Sequence, residues 1–199
     1  MPVRNLNSNI GDMKNFKEKY NKEVISEMKK KFGFKNSLQV PAIEKVVVNA
    51  GIGKYIKDAN MINEAVQAFE TITGQKPVLT KSRNSIAGFK IREGLEVGVK
   101  VTLRGARKWD FLDRLVVASI PRIRDFQGLK ESAVDEGGNL NIGIKEHTVF
   151  PEILPENVKN ILSLQVTVVT TTRNRQEGME LFRLLGFPIK FENNQKNIQ

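Results

Sequence analysis

Cysteine is absent from the 199 residues. That excludes disulfides, thiolate metal sites and thiol catalysis. Histidine occurs once, at His147, so no zinc site can be assembled from His and Cys. Tryptophan also occurs once; Trp109 falls on the apolar stripe of an expected helix and reads as core. No apolar run approaches the ~20 residues that cross a bilayer. The opening residues MPVRNLNSNIGDMKNF lack the apolar centre of a secretory signal. The expectation is a soluble cytoplasmic chain. Acid is scarce relative to base: 22 Asp and Glu against 32 Lys and Arg, a net charge of +10. Such a balance points to a polyanionic partner, either nucleic acid or an acidic membrane surface.

Forty per cent of the residues are hydrophobic, enough for one domain with a core. The Asn-rich residues 1–13 read as a flexible leader, residues 14–188 as a single domain, and residues 189–199 as a flexible tail. Residues 14–35 place Phe16, Tyr20, Val24, Ile25 and Met28 at helical spacing, with Gly33 as a stop. The outer face of that helix is basic, either simply solvated or the contact of a general RNA-binding or membrane-surface protein. VPAIEKVVVNAGIG reads as a strand, and residues 58–73 as a helix capped by Asp58 and ended by Gly74. QKPVLTKSR follows as an edge strand, because Pro77 interrupts its start. GLEVGVKVTLRG is the clearest strand, and residues 106–120 a helix ended by Pro121. Residues 121–139 read as a long loop turning at Gly137-Gly138. LNIGIKEHTVF and LSLQVTVVTTT are further strands, and RQEGMELFRLLG closes the domain as a helix. The sum is an α+β fold, with a mostly antiparallel or mixed sheet, helices on one face and an open polar RNA-binding face.

That polar face comes from alternation. Val97, Val99, Val101 and Leu103 share one side of their strand; Lys100, Thr102 and Arg104 share the other. Leu162, Leu164, Val166 and Val168 oppose Ser163, Gln165, Thr167 and Thr171 in the same way, and Val46 and Val48 oppose Lys45 and Asn49. Glu44 and Glu96, at strand starts, are assigned to the apolar register, which leaves the polar side without a competing carboxylate. Donors without acids suit phosphate, ribose and base edges. Residues 75–110 carry nine basic and three acidic side chains, most of the net charge. Aromatics do not interleave on the polar side, so recognition of RNA shape and backbone fits better than stacking of splayed bases.

Two apparent motifs fail. VVVNAGIGKYI has Ile56 where a dinucleotide turn needs its third glycine, and Tyr55 where a triphosphate loop needs Ser or Thr after Gly53-Lys54. His147 sits in KEHTVFPEI with no nucleophile elbow nearby and reads as structural. Asp135 and Glu136 before Gly137-Gly138 read as a loop tip, solvated or facing a basic protein. No enzyme activity, metal or cofactor is expected.

TITGQKPVLTKSRNSIAGFKIREG, KVTLRG, PRIRDFQGL, GIKEHTVFPEI and TVVTTT resemble, in order and spacing, the bacterial family of protein five of the large ribosomal subunit. EKYNKEV and QVPAIEKVVVNAGIG are similar too, so the likeness runs from about Asn15 to Pro188. The resemblance implies a ribosomal protein that binds 5S rRNA in the central protuberance and contacts large-subunit rRNA and neighbouring proteins there. It implies a chain that is monomeric within a cytoplasmic ribosome, with no membrane role. The 5S-binding residues it suggests are Asn49, Gln75 and Thr102; the polar side of the strands adds Lys45, Lys100, Arg104 and Thr171 as candidate contacts, with Thr80 beside them. Residues 81–94 resemble a long loop that reaches P-site tRNA, with Lys81, Arg83, Ser85, Lys90 and Arg92 as its candidate contacts and the four cations neutralising tRNA or rRNA phosphates. Gly88 and Gly94 would let that loop adapt, and Ile86, Phe89 and Ile91 would pack on ribose or base surfaces or on each other. Asp125, Asp135 and Glu136 resemble the side facing a small-subunit head protein across an intersubunit bridge. Departures from the family are Asn84 after Arg83, one charge short, and Gln127 where Arg is usual.

Overall fold

The computed structural model describes residues 15–55, 58–154, 156, 158 and 160–190. The leader 1–13, and the expected tail from residue 191 onward, lie outside the described residues. Within those described, seven strands and four helices follow in chain order. Helix α1 runs as Phe16–Lys19 and Ile25–Phe32, joined without a break through a π-turn at Tyr20–Val24. Strand β1 is Ile43–Gly51, helix α2 Ala59–Thr73, strand β2 Val78–Lys81 and strand β3 Glu96–Leu103. Helix α3 is Gly105–Arg114, continued by a π-turn at Leu115–Ser119 and a 3-10 turn at Ile120–Arg122. Strands β4 (Leu129–Lys130), β5 (Leu140–Ile144) and β6 (Leu164–Thr170), helix α4 (Arg175–Leu185) and strand β7 (Ile189–Lys190) complete the order.

The main sheet has the order β2-β3-β1-β6-β5, and each neighbouring pair is antiparallel. Local chemistry sets most boundaries. The Asp58 carboxylate accepts from the N–H groups of Asn60 and Met61 and so starts α2. Gly33, Gly74 and Gly186 end α1, α2 and α4 in the left-handed conformation. Long-range contacts finish two helices: Arg114 donates to the Ile72 carbonyl at the end of α2, and Lys19 Nζ to the Leu185 carbonyl at the end of α4.

The helices cover one face. Val46, Val48, Val99, Val101, Leu103, Val166 and Val168 are buried beneath them, with Phe69, Phe111, Leu112 and Phe182. Helix α1 is tied to the rest by aromatic contacts, Tyr20 to Trp109 at 5.7 Å and Phe16 to Phe187 at 5.8 Å. Trp109 is core, as expected, with the Lys108 ammonium 5.2 Å from its ring centre.

Three sequence expectations change. The stretch 121–139 is not a plain loop: Leu129 and Lys130 pair in parallel with Ile189 and Lys190 as a second, two-stranded sheet. Ile189 and Lys190 therefore belong to the folded domain rather than to a tail. Two-residue strands carry no readable alternation, and their partners lie far away in sequence. Pro121 does not stop α3 outright, because it sits in the first turn of the closing 3-10 segment, where its missing N–H costs nothing.

Candidate nucleic-acid interface

Antiparallel register turns the alternation of single strands into rows on the face opposite the buried valines. One row reads Lys100, Asn49, Gln165 and Gly143; the next reads Thr102, Val47, Thr167 and Asn141. Lys100, Asn49, Gln165 and Gly143 are exposed, and Thr102, Thr167 and Asn141 half-buried. Sequence patterning does not single out Asn141, although Leu140, Ile142 and Ile144 point inward around it. Its side-chain oxygen accepts from Thr167 Oγ1 at 2.8 Å and Gln165 Nε2 at 3.3 Å. These bonds tie three polar side chains together. The face is not wholly polar, since Val78 lies opposite Lys100 and is 68% exposed.

The remaining expected contact residues divide by how far they are already engaged. Gln75 follows α2 and donates from Nε2 to the Thr102 carbonyl at 3.4 Å, while its Oε1 accepts from Arg107 at 3.4 Å. It therefore caps the end of β3 beyond the short edge strand. Thr171 extends the β1–β6 ladder: its N–H donates to the Ala42 carbonyl, and its hydroxyl accepts from Ala42 N. Thr80 faces Gly98, where a Cβ would lie only 2.6 Å from the Thr80 hydroxyl. Glycine at 98 is what lets that hydroxyl lie flat on the sheet.

The expected freedom from carboxylates fails at one corner. The β1–β6 register slips between Ile43 and Lys45, and Glu44 is exposed rather than turned into the apolar layer. Its Oε1 lies 3.3 Å from Lys45 Nζ and 3.4 Å from Arg104. The hydrogen bond and charge of Lys45, with a smaller contribution from Arg104, hold the Glu44 carboxyl below the usual carboxylate range. Glu96 is half-buried and pairs across to Lys81 beside a second register slip. Lys108 is turned away from the face altogether and donates to the carbonyls of Ile43 and Glu44.

Residues 81–94 form a hydrogen-bonded arm that extends the β2–β3 hairpin. Ser82 N donates to the Leu95 carbonyl, Gly94 N to that of Ser82, and Ile86 and Ile91 pair across the arm. The Ser85 hydroxyl accepts from Glu93 N at 3.0 Å, so it braces the arm. Of the two glycines expected to bend here, only Gly94 has a positive φ, +84°. Lys90 holds φ of 53° at the tip, a conformation that costs a non-glycine residue about 1 kcal/mol. Lys81, Arg83, Lys90 and Arg92 are all exposed, and no ion pair engages them among the described residues.

The acidic candidates are less alike than the sequence suggests. Asp135 is committed to its own turn, accepting from Asn139 N at 2.8 Å and from Asn139 Nδ2. Glu136 and Asp125 are exposed, Asp125 with φ of 55°. The Gly53–Tyr55 segment is one tight turn that does not lead directly into a helix, so it lacks the geometry of a phosphate cradle. Among the described residues no cluster of ligands could hold a metal, and no helix is long and apolar enough to cross a membrane.

His147 is buried and structural. Leu162 N donates to its Nδ1 at 3.2 Å, and its own N–H donates to the Leu162 carbonyl. Burial holds the imidazole below its ordinary range. The unfolded chain takes up a proton near pH 6.5, whereas the folded one resists it. Stability contributed by the neutral ring is therefore complete above about pH 6.5 and falls as pH drops through that value. Denaturation midpoints should decline from about pH 7 to about pH 5. His147→Gln should flatten that decline; an unchanged slope would remove His147 as its cause.

The chain matches two family sequence models in succession: Ribosomal protein L5 over residues 36–92, and the C-terminus of the same ribosomal family over residues 96–189. Large ribosomal subunit protein uL5 of Anaeromyxobacter sp. (strain Fw109-5) is 48% identical over 174 residues, covering 87% of this chain and 97% of that protein. The protein of the same name from Syntrophomonas wolfei subsp. wolfei is 47% identical over 173 residues, with the same coverage.

Proposed function

The chain belongs to the ribosomal protein L5 family, and from that premise we propose that it binds 5S rRNA through the uncovered sheet face and P-site tRNA through the 81–94 arm. It is a structural, non-enzymatic component of the large ribosomal subunit. The observation that carries the finer reading is the register of β1 and β3. It sets Asn49 beside Lys100, both exposed, with half-buried Thr102 one row away. An amide, an ammonium and a hydroxyl at fixed spacing can contact phosphate and ribose without reorganising.

Gln75 supports that row from the edge, and Thr80, Lys45, Arg104 and Thr171 surround it. Large-subunit rRNA and neighbouring proteins of the central protuberance are the further partners. Asp125, Asp135 and Glu136 face a small-subunit head protein in this reading, with Glu136 as the reaching carboxylate and Asp135 as the residue that shapes its turn. The chain acts as a monomer in the cytoplasmic ribosome.

Thr102→Val tests the sheet. It removes one hydroxyl at nearly constant volume from a half-buried position, so the fold should survive. Affinity for 5S rRNA should fall by about 1–3 kcal/mol, the cost of leaving a paired RNA group unsatisfied. Affinity for an unrelated hairpin RNA should not change. A wild-type protein that binds both RNAs equally, or a variant with unaltered 5S affinity, would defeat the assignment.

A further inference from the structure

We propose that the trough between the tip of the 81–94 arm and residues 161–163 seats a single unstacked RNA base, with its flanking phosphates on Lys54 and Lys145. The inference rests on the RNA-binding reading above and names a subsite that reading lacks. The trough encloses about 770 Å³. Its walls are aromatic and aliphatic, chiefly Tyr55, Phe89, Ile91 and Ile161. Phe89 is 74% exposed and Ile161 57%. The Ile86–Ile91 bridge and the left-handed Lys90 hold the tip in which Phe89 sits, and Ile86 and Ile91 pair with each other across it. Of the two roles open to these apolar residues, meeting a base suits Phe89, with Ile91 beside it in the wall.

Charge decides between a base and an apolar peptide side chain. Lys54 and Lys145 line the trough, and no carboxylate among the described residues does. Cations beside an aromatic platform, without acids, fit a polyanion that carries planar apolar groups. Gly51 and Gly53 leave the floor bare, with nothing within 4 Å of a Cβ at either position. A smaller hollow of about 450 Å³ adjoins the trough, sharing Gly51, Lys145 and Ser163, and is lined by Asn49 and Gln165 of the polar face. A strand lying on that face can therefore run off its end and lay one base in the trough. The sheet itself offers no stacking surface, but its margin does.

The test uses a single-stranded adenosine oligomer of about ten nucleotides with 2-aminopurine at its centre, and the same oligomer with an abasic site there. The wild type should bind the intact oligomer more tightly and change the 2-aminopurine fluorescence. Phe89→Ala should weaken the intact oligomer roughly 5- to 150-fold, the range for one stacked base, and leave the abasic one unchanged. Phe89→Trp should restore binding, whereas Lys54→Ser should weaken both oligomers alike. Equal wild-type affinity for the two oligomers, no binding to either at low salt, or a Phe89→Ala variant like the wild type would each overturn the proposal. So would displacement by an acidic peptide at lower concentrations than unlabelled RNA. Binding of 5S rRNA that still depends on Thr102 would then confine the failure to the trough.

Discussion

Gly178→Ala is expected to destabilise the protein by about 3 kcal/mol, although alanine is the better helix former. At an open helical position the same change would gain about 1 kcal/mol. Here geometry reverses the sign. A Cβ on Gly178 would lie 2.5 Å from the Gly138 carbonyl oxygen and 2.6 Å from its Cα. Those are backbone atoms, and they are held. The Thr170 hydroxyl donates to the Gly138 carbonyl at 2.9 Å, Thr170 N donates to Asn139 Oδ1, and Asp135 binds Asn139. Gly138 itself has φ of +75°, so the turn cannot reshape around a new methyl group at low cost. Urea midpoints measure the effect. Gly53→Ala, with open space at its Cβ, is the matched control and should move the midpoint little. A Gly178→Ala protein as stable as the wild type would mean that α4 slides freely over the 135–139 turn. Because Asp135 and Glu136 stand on that turn, the same variant should also disturb whatever they contact.

The contact between Gly138 and Gly178 also marks where sequence reasoning stops. Gly137-Gly138 is legible as a turn, and Gly178 as a helical glycine, but nothing in either stretch says that the two backbones touch. The caps are legible because their chemistry is local: Asp58 reaches N–H groups two and three residues ahead, and Gly74 and Gly186 terminate helices on their own φ values. The apolar layer is legible because β6 buries every second residue and β3 buries Val99, Val101 and Leu103 around exposed Lys100 and half-buried Thr102. Only antiparallel register is then needed to bring Asn49, Lys100 and Thr102 together. The rest of the candidate site is hidden for three reasons. The slip at Ile43/Lys45 moves Glu44 out beside Lys45 and Arg104, and strict alternation cannot represent a slip. Gln75 acts on a carbonyl 27 residues away, a relation set by where α2 ends over the sheet. Lys54, Lys145 and Asn141 belong to separate segments and meet the site only through topology.

Those engaged and unengaged cations predict two different salt responses. Each phosphate neutralised contributes roughly 0.7–0.9 to the slope of log affinity against log salt. The arm presents four exposed cations, Lys81, Arg83, Lys90 and Arg92. Its affinity for tRNA should therefore fall about a hundredfold between roughly 50 and 200 mM salt. Changing all four to Ser should nearly abolish that dependence while weakening 5S binding far less, since none of the four stands in the polar rows or lines the trough beside them. Lys22→Ser and Lys30→Ser serve as controls, because those side chains already pair with Glu18 and Glu27 on α1. The 5S side behaves differently. Glu44 now offsets one unit of the charge on Lys45 and Arg104, so Glu44→Gln should tighten 5S binding at low salt and steepen its slope by about one phosphate's worth. Few substitutions at an interface are expected to improve it, which makes this one decisive. If Glu44→Gln leaves the 5S slope unchanged, the Lys45–Arg104 corner does not touch the RNA. If the four arm changes weaken 5S rRNA as much as tRNA, one continuous RNA surface replaces the division between arm and sheet.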